Sequence, residues 1–311
     1  MKVTIKQAIE IIKSGGVVAM PTETVYGLAA DAANLRAIQK TFKIKGRPQD
    51  NPLIVHLSSV DQLKMLAKDI PEDAFKLAEH FWPGPLTIVL KKKETVLDAV
   101  TAGLDTVAVR VPDHPIALEL ISQSGPLTAP SANLSGKPSP TKPEHITEDY
   151  GNKIPFLDGG STKIGIESTV LDLSLKPYSI LRPGSVSKEE ISEVLTTDIS
   201  IASDTDSSKK SPGTRYSHYK PKATVKWLEN NDVIIQDNNN FYILHSDKFL
   251  PVDSANILHF QGDFNHLASV LYDLFRTADH SGYKTIWIEP ISEVKNYSIT
   301  EALINRISKA I

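Results

Sequence analysis

Residues 107–111 read Val107-Ala108-Val109-Arg110-Val111, an apolar, β-rich run that is typical of a buried strand. Runs of the same kind occur at residues 53–57, 86–90 and 169–173. Helical patterns separate these runs, at residues 60–67, 73–81 and 115–122. Strands and helices that alternate in this way indicate an α/β domain. The irregular spacing gives no support to a doubly wound parallel sheet and leaves a mixed sheet open.

Outside this region, local signals mark further helices and a linker. Thr4 and Gln7 have the spacing of a capping box at the start of an amphipathic helix, and Ser187 and Glu190 have it again. Residues 200–211 are rich in serine, aspartate and lysine, which predicts a linker. Strand and helix patterns then resume. We therefore expect a large α/β domain over residues 1–187, a linker over residues 188–221 and a smaller α/β domain over residues 222–311.

The composition indicates a globular protein and excludes several classes. Apolar residues make up 41% and charged residues 23% of the 311 residues, which is enough to build a core. A net charge of −3 excludes a strongly basic protein that binds DNA through charge alone. Cysteine is absent, which excludes disulfides, thiol catalysis and thiolate metal sites. No apolar run resembles a signal peptide or a membrane helix, so we expect a cytoplasmic protein with no membrane partner.

Several familiar catalytic motifs are absent from the sequence. The chain contains no G-x-G-x-x-G fingerprint, no G-x-S-x-G elbow and no H-E-x-x-H pair. Ser135-Gly136-Lys137 is similar to the end of a P-loop, but Pro138 stands where that motif needs a hydroxyl for magnesium. Residues 222–311 carry 8 basic and 11 acidic residues. The acidic excess therefore lies there, and an anion site is expected in the preceding part.

Two segments combine polar side chains with a tight turn. Pro21-Thr22-Glu23-Thr24-Val25-Tyr26-Gly27-Leu28 follows a strand and is either an ordinary turn or part of a site. Lys45-Gly46-Arg47-Pro48-Gln49-Asp50-Asn51-Pro52 holds two cations on a stiff loop, where both can face one phosphate. A solvated basic turn is the alternative for this pair. His56, in the strand that follows, is either a ligand contact or a half-buried polar side chain.

Two further segments carry arginines. A guanidinium inside an apolar strand costs free energy unless it is paired, so Arg110 forms either an internal salt bridge or a clamp for a carboxylate ligand. The loop Pro130-Ser131-Ala132-Asn133 offers a hydroxyl and an amide to a polar ligand. Arg182 follows a strand and is a candidate phosphate contact. The aromatic stretch 211–219 predicts either a lid over a ligand or a linker that packs on the large domain.

Taken together, these segments resemble one family. The motifs PTETVYGL, KGRPQDNPLIVH, FWPGPLT, VAVRVP, APSAN, SPT, ESTV, LRPG and SPG-x-RY-x-HY occur in the order typical of the YrdC-like threonylcarbamoyl-AMP synthases. The resemblance is strong over about residues 3–221 and weak beyond, and it corresponds to the long, two-domain form. It implies a twisted, open mixed sheet with a concave basic cleft, and it makes residues 1–187 the catalytic domain and 188–221 a linker and lid.

The resemblance also implies an activity. Such enzymes are nucleotidyltransferases that convert L-threonine, bicarbonate and ATP to threonylcarbamoyl-adenylate and pyrophosphate, for the threonylcarbamoyl modification of adenosine in tRNA. Their site positions the substrates and supplies positive charge near the phosphates, without a covalent enzyme intermediate. Mg²⁺ would accompany ATP, bound largely by the nucleotide and water. A tRNA or a tRNA-modifying transferase protein would be a further partner.

Matching positions carry the roles that the resemblance implies. Catalysis is assigned to Lys45, Arg47, Ser131 and Asn133. ATP contacts are assigned to those four residues and to Thr106, Ser139, Arg182 and Tyr216. L-threonine contacts are assigned to Thr22, His56, Arg110 and Ser168. No protein ligand to a metal is assigned. Thr214 departs from the family pattern, which usually has methionine there, and residues 294–299 stand where a glycine-rich stretch is common.

Two other classes of protein stay open. An RNA-binding or ribosome-associated factor would use the lysines and arginines of the cleft for phosphates, but no aromatic stacking platform is evident in the neutral large domain. A carbamoyl-transfer domain of a larger maturation enzyme is the second alternative. The lack of cysteine-based zinc motifs argues against it.

Overall fold

The computed structural model describes residues 1–203, 219–229, 232, 234–235, 237–249, 255–291 and 298–311. Within these residues the chain forms two β-sheets, each accompanied by helices. The predicted α/β class, with a large mixed sheet and a second, smaller unit, is confirmed.

The larger sheet contains nine strands within the described residues. They are β1 (Val18–Met20), β2 (Gly27–Asp31), β3 (Ile54–His56), β4 (Leu86–Lys91), β5 (Thr106–Arg110), β6 (Leu127–Thr128), β7 (Thr169–Asp172), β8 (Ser179–Arg182) and β9 (Ser200–Ile201). Their order across the sheet is β1-β2-β6-β3-β5-β4-β7-β8-β9. The pairs β3–β5, β4–β7 and β8–β9 are parallel and the other pairs are antiparallel, so the sheet is mixed.

Eight α-helices accompany this sheet in the described residues. They are α1 (Ile5–Lys13), α2 (Leu35–Lys45), α3 (Leu63–Leu66), α4 (Glu72–Phe81), α5 (Asp98–Thr101), α6 (Pro115–Ser124), α7 (Pro143–Tyr150) and α8 (Lys188–Leu195). Capping boxes open α1 at Thr4 and α8 at Ser187, as their sequence spacing predicts. The side chain of Asn34 caps α2 by accepting hydrogen bonds from the second and third helical N–H groups.

The main core lies between the centre of this sheet and the helices on one face. Val55, Ile88 and Val109, from three neighbouring strands, pack with Leu77 of α4 and Ile191 of α8. Each such side chain contributes about 1.5–3 kcal/mol when it is fully removed from water. The core therefore holds the strands whose ends carry the candidate site residues.

The first part of the expected linker belongs to the large domain. Ile191 and Leu195 of α8 lie in the main core, and β9 pairs with β8. Residues 188–201 therefore extend the large sheet and its helices. The serine-rich segment 204–218, with the expected lid, lies outside the described residues.

The smaller sheet has four strands, all parallel, within the described residues. They are β10 (Thr224–Trp227), β11 (Asn240–Leu244), β12 (Ile257–His259) and β13 (Thr285–Ile288), in the order β10-β13-β11-β12. Two helices accompany them, α9 (Phe264–His280) and α10 (Ser298–Ala310). The strand expected at residues 233–235 is not formed by Ile234 and Ile235, and residue 233 lies outside the described residues.

The two sheets share a buried boundary. Val25 and Ile166 of the large domain belong to the same apolar cluster as Leu271 and Phe275 of α9. Asp273 of α9 adds ion-pair contacts to α7 and to the residue that precedes it. The second unit is thus packed directly against the segments that carry the candidate site. No helix in the described part of the chain is long and apolar enough to cross a bilayer.

Candidate active site

A cavity lies at the edge of the large sheet where the parallel strands β3 and β5 end. The register of these strands places His56 opposite Arg110, so both side chains reach the same edge. Loops after β1, α2 and β6 and the segments around β7 and β8 complete the lining. Eight of the predicted site residues line the cavity: Thr22, Arg47, His56, Arg110, Ser131, Asn133, Ser168 and Arg182.

The loop after β1 is held by its own hydroxyl groups. Oγ1 of Thr22 donates to the carbonyl oxygen of Val25, 2.7 Å away, and accepts from the backbone N–H groups of Thr24 and Val25. Thr22 and Thr24 are both buried. The turn is therefore rigid, and it presents the Thr22 hydroxyl at the cavity wall.

Arg110 is paired inside the protein as well as exposed to the cavity. Its guanidinium contacts the carboxylate of Glu23, and both side chains are buried. Nε donates to the carbonyl oxygen of Gly84 and Nη1 to Oγ1 of Thr24, each at 3.0 Å. The internal salt bridge that the sequence left open is present. Together with the two hydrogen bonds, this salt bridge fixes the guanidinium at the edge of the cavity. All of these contacts come from the large domain.

His56 is a neutral, buried imidazole. Burial, together with the positive charge of Arg110, lowers the pKa of His56 to about 3. Nδ1 is buried and has no hydrogen-bond partner among the described residues. A buried polar atom without a partner costs about 1–3 kcal/mol. The residue itself lines the cavity.

Lys45 supports the Pro130–Asn133 loop from behind the cavity. Its Nζ donates to the carbonyl oxygen of Ser131 and, at 2.7 Å, to that of Asn133. Lys45 is buried and lies outside the set of residues that line the cavity. Burial, and the positive charge of Arg47, lower the pKa of Lys45. In this structure Lys45 therefore holds the loop, and Arg47 alone of the two cations faces the cavity.

Arg47 brings a guanidinium to the cavity wall. Its Nη2 donates to the carbonyl oxygen of Pro52 at 3.0 Å, while Nε is buried and has no hydrogen-bond partner among the described residues. Burial, and in the same direction the charge of Arg182, lower the pKa of Arg47 to about 10. The guanidinium is therefore charged at neutral pH, and it is suited to an anionic ligand.

Arg182 and Ser168 are brought together by strand pairing. β7 and β8 are antiparallel, with Val170 opposite Arg182. Nη2 and Nε of Arg182 donate to the carbonyl oxygen of Ser168 at 2.9 and 3.2 Å. Oγ of Ser168 also forms a hydrogen bond of 2.8 Å with Oγ1 of Thr87. The serine and the arginine thus form one fixed unit of the wall.

Ser131 and Asn133 form a second fixed unit. Oγ of Ser131 donates to Oδ1 of Asn133 at 2.6 Å. The Asn133 amide nitrogen donates to the carbonyl oxygens of Leu134 and Lys137, at 2.9 and 2.8 Å. The amide is therefore used to shape the loop, and the serine hydroxyl is held at the cavity by it.

Three polar residues of the cavity wall were not predicted, namely Thr24, Glu167 and Tyr219. Glu167 lines the cavity next to Ser168, and Tyr219 lines it from the start of the C-terminal part. The ESTV motif contains Glu167, but only its serine was assigned a role. The expected tyrosine, Tyr216, lies outside the described residues.

Thr106 is not brought to the cavity. It occupies the opposite end of β5 from Arg110, and four residues of strand span roughly 13 Å. Thr106 lies instead on a separate surface with Lys91, Lys92 and Ser174. The structure thus does not bring Thr106 together with the other predicted residues, and its contact with ATP stays a prediction. Ser139 lies close behind the wall, where its Oγ donates to the carboxylate of Glu167 at 2.6 Å.

The arrangement indicates a binding cleft that positions anionic and small polar molecules. Three arginines, two serines, two threonines, a glutamate and a neutral imidazole converge on one space. Among the described residues, no group of three or more histidine, aspartate or glutamate side chains could hold a metal ion. In an α/β protein, a cleft of this kind defines the class of enzymes that bind an anionic substrate and act mainly by positioning and charge.

Comparison with known proteins gives the family. A family model described as "Telomere recombination" (Sua5, YciO and YrdC) matches residues 10–184. A second model, described as "Threonylcarbamoyl-AMP synthase, C-terminal domain", matches residues 186–311. The chain belongs to the Sua5/YciO/YrdC family, in the form that carries this C-terminal domain. The family predicted from the sequence motifs is confirmed.

Individual relatives agree with this result. Proteins named threonylcarbamoyl-AMP synthase from Pyrococcus abyssi (strain GE5 / Orsay) and Bacillus subtilis (strain 168) are each 42% identical to this chain over 323 residues. The alignments cover 98% of this chain and 93% and 92% of the relatives. A crystal structure of P. abyssi Sua5 complexed with L-threonine matches with a TM-score of 0.87 and 40% identity, over 100% of this chain and 96% of that chain.

Proposed function

We infer that this chain is a threonylcarbamoyl-AMP synthase, a nucleotidyltransferase that makes threonylcarbamoyl-adenylate from L-threonine, bicarbonate and ATP. Its product serves the threonylcarbamoyl modification of adenosine in tRNA. Relatives that align with 98% of the chain at 42% identity carry the name of this activity. The observation in the structure that supports it best is the convergence of eight predicted residues, from separate segments, on one cavity.

We assign the nucleotide side of the cavity to Arg47, Arg182, Ser131 and Asn133. In the reaction, a carboxylate oxygen of N-carboxylated threonine attacks the α-phosphorus of ATP, and the bond to pyrophosphate breaks. Negative charge then grows on the departing phosphates. Arg47, with an unpartnered buried Nε, and Arg182 supply fixed positive charge for it. The side chains need not bond covalently to any intermediate.

We assign the amino-acid side to Thr22, His56, Arg110 and Ser168. The hydroxyl of Ser168 suits the threonine hydroxyl or amine, Thr22 shapes the wall through its turn, and the neutral His56 leaves Nδ1 for a hydrogen bond. Arg110 would meet the carboxylate of threonine. Because Glu23 and Thr24 already hold its guanidinium, the arginine is oriented before the substrate arrives.

We propose that Mg²⁺ enters the site with ATP. The ion prefers oxygen ligands, and the hydroxyl of Ser131 and the amide oxygen of Asn133 are of this kind. The carboxylate of Glu167 already accepts hydrogen bonds from several side chains. Phosphate and water oxygens would therefore supply most of the ligands. Mg²⁺, when bound, would neutralise phosphate charge. The proposed setting is the cytoplasm, where ATP is available and where tRNA or a tRNA-modifying transferase would be a partner.

The decisive experiment is mass spectrometry of the purified protein incubated with ATP, L-threonine, bicarbonate and Mg²⁺. We expect threonylcarbamoyl-adenylate and an equal amount of pyrophosphate, with neither formed when threonine or bicarbonate is left out. Added EDTA should stop the reaction, and excess Mg²⁺ should restore it. A protein that binds ATP yet forms no adduct would contradict the proposed function. Salt-sensitive RNA binding without turnover would favour the alternative of an RNA-binding factor.

A further inference from the structure

The Glu167 carboxylate at the cavity wall is held chiefly by the C-terminal domain. Oε2 accepts a hydrogen bond of 2.7 Å from Nε of Arg306, on α10, and one of 3.0 Å from the hydroxyl of Tyr272, on α9. Oε1 accepts from Ser139 of the large domain at 2.6 Å. Arg306 is completely buried. A charged side chain from one domain thus neutralises a charged side chain in the site of the other.

Arg306 also contacts two neighbours of the cavity. Its Nη2 donates at 3.0 Å to the carbonyl oxygen of Pro183, the residue directly after Arg182. Its guanidinium lies over the ring of Tyr219, 5.6 Å from the centroid, and that ring stacks on Tyr272 at 5.1 Å. Arg182 and Tyr219 line the cavity. One buried side chain therefore connects two lining residues, Glu167 and Tyr219, with the residue that follows a third, Arg182.

Glu167 is charged at neutral pH, so its contact with Arg306 affects the net charge of the cavity wall. Burial raises the pKa of the carboxyl, but the charges of Arg306 and Arg182 and the hydrogen bond from Ser139 outweigh burial and lower the pKa to about 2. The group is therefore an anion at neutral pH, at the wall of a site proposed to take a triphosphate. Arg306 forms the ion pair with this anion, while Arg182 directs Nε and Nη2 to Ser168.

We propose that Arg306 is a positioning residue for the binding of ATP. It compensates the charge of Glu167, so that this carboxylate neither repels the phosphates nor draws Arg182 away from Ser168. Without Arg306, Glu167 would be an uncompensated anion at the wall, and the nucleotide would meet its negative charge. The C-terminal domain thereby contributes to ATP affinity without touching the substrate. The inference rests on the proposed function for the identity of the anion.

The test compares Arg306→Met, Glu167→Gln and the double variant, with pyrophosphate release measured at varied ATP and varied L-threonine. The uncompensated charge of Glu167 near the phosphates predicts that Arg306→Met raises KM for ATP about tenfold or more. KM for threonine and kcat should change much less. Adding Glu167→Gln to Arg306→Met should restore most of the ATP affinity, because the competing carboxylate is gone. Arg306→Lys should show an intermediate effect.

Arg276→Met is the matched control. Like Arg306, Arg276 is a buried arginine on a helix of the C-terminal domain, in this case α9. It pairs across the domains with Glu148 and Asp149. Glu167→Gln should give no recovery in this background, since the pair that is broken there does not include Glu167. If both arginine variants raise KM for ATP equally and respond equally to Glu167→Gln, the effect reflects a general loss of contact between the domains. That result would overturn the inference.

Two further results would count against the positioning role. One is an unchanged KM for ATP in a folded Arg306→Met protein, and the other is a double variant as weak as Arg306→Met. If Arg306→Met does not fold, the double variant decides, since it leaves no buried charge unpaired. Its KM for ATP should then stay near that of the wild type, and a large increase would refute the proposal. Calorimetric titration of ATP into the same proteins tests the inference independently of turnover, so a wild type that binds ATP without forming the adduct contradicts the proposed function alone.

Discussion

Two buried arginine–glutamate pairs flank the cavity, and they are built in different ways. Arg110 and Glu23 both belong to the large domain, and the strand that carries Arg110 also places it against Gly84 and Thr24. Arg306 and Glu167 are 139 residues apart and come from different domains. The first pair is fixed by the register of one sheet. The second exists only when the two domains are docked.

This difference separates two contributions to the site. The Arg110 pair orients a cation that itself lines the cavity, so it acts directly on a ligand. The Arg306 pair acts on the charge balance of the wall, because only its carboxylate partner lines the cavity. Docking of α9 is reinforced by Asp273, which contacts Lys142 and His145.

The largest effect is expected for the pair inside the large domain. Arg110→Met leaves the buried Glu23 without its cation, which should lower the free energy of unfolding by about 3–5 kcal/mol. Arg110→Met combined with Glu23→Gln should recover most of the stability but none of the activity, because the cavity still lacks its guanidinium. Urea unfolding and pyrophosphate release measure the two properties. Full activity in the double variant would show that Arg110 is only structural.

The interdomain pair should appear in the dependence of stability on pH. The pKa of Glu167 lies at about 2 in the folded protein, below its unfolded value of 4.5. A group with a lowered folded pKa stabilises the protein above the unfolded pKa, and this contribution is lost as the pH falls from about 4.5 toward 2. The contribution is about 3 kcal/mol. Denaturant unfolding at a series of pH values should show a shallower decline for Glu167→Gln combined with Arg306→Met.

A matched control for this measurement is Glu144→Gln, at an exposed position of α7. Its stability should follow the same pH profile as that of the wild type. An identical decline in the Glu167 double variant would mean that the interdomain pair does not contribute to acid stability.

Next in size is the effect of Arg47, which lies in neither pair. Arg47→Ala removes one charged contact to the proposed phosphates, which corresponds to a loss of about 1.5–3 kcal/mol of transition-state stabilisation. The value of kcat/KM for ATP should therefore fall roughly 10–150-fold. The fold should survive, because the side chain bonds only to backbone carbonyls of its own loop. Arg36→Ala, on the exposed face of α2, is the control and should be as active as the wild type. Equal turnover in both variants would remove Arg47 from the site.

Local sequence signals were sufficient for much of the fold. The capping boxes at Thr4 and Ser187 depend on residues three positions apart, and both are present. Short strands such as β6 were missed, since two residues become a strand only through pairing with β2 and β3. The packing of Ile191 and Leu195 in the main core was not predictable, because it depends on contact with distant residues such as those of α4.

The members of the candidate site could be predicted where local sequence determines their positions. They could not be predicted where contacts between distant residues determine the direction or charge of a side chain. Lys45 and Arg47 were expected to point together. However, α2 ends between them at Gly46, whose φ of 60° reverses the chain and directs the two side chains to different places. Glu167 could not be given a role because Arg306, its ion-pair partner, lies in a distant part of the sequence. The family motifs identify the members of the site, and the domain packing determines their charges.

The smallest effect is expected at Thr106, which shares a strand with Arg110. The two residues lie at opposite ends of β5, and only the carboxyl end reaches the cavity. Thr106→Ala should therefore change KM for ATP by no more than about twofold, as is usual for substitutions away from a site. Thr22→Ala, a change of the same residue type at the cavity wall, should raise KM for L-threonine in the same assay. If Thr106→Ala instead weakens ATP binding strongly, the nucleotide extends along the whole strand, and the division of the cavity between Arg110 and the phosphate-facing arginines must be redrawn.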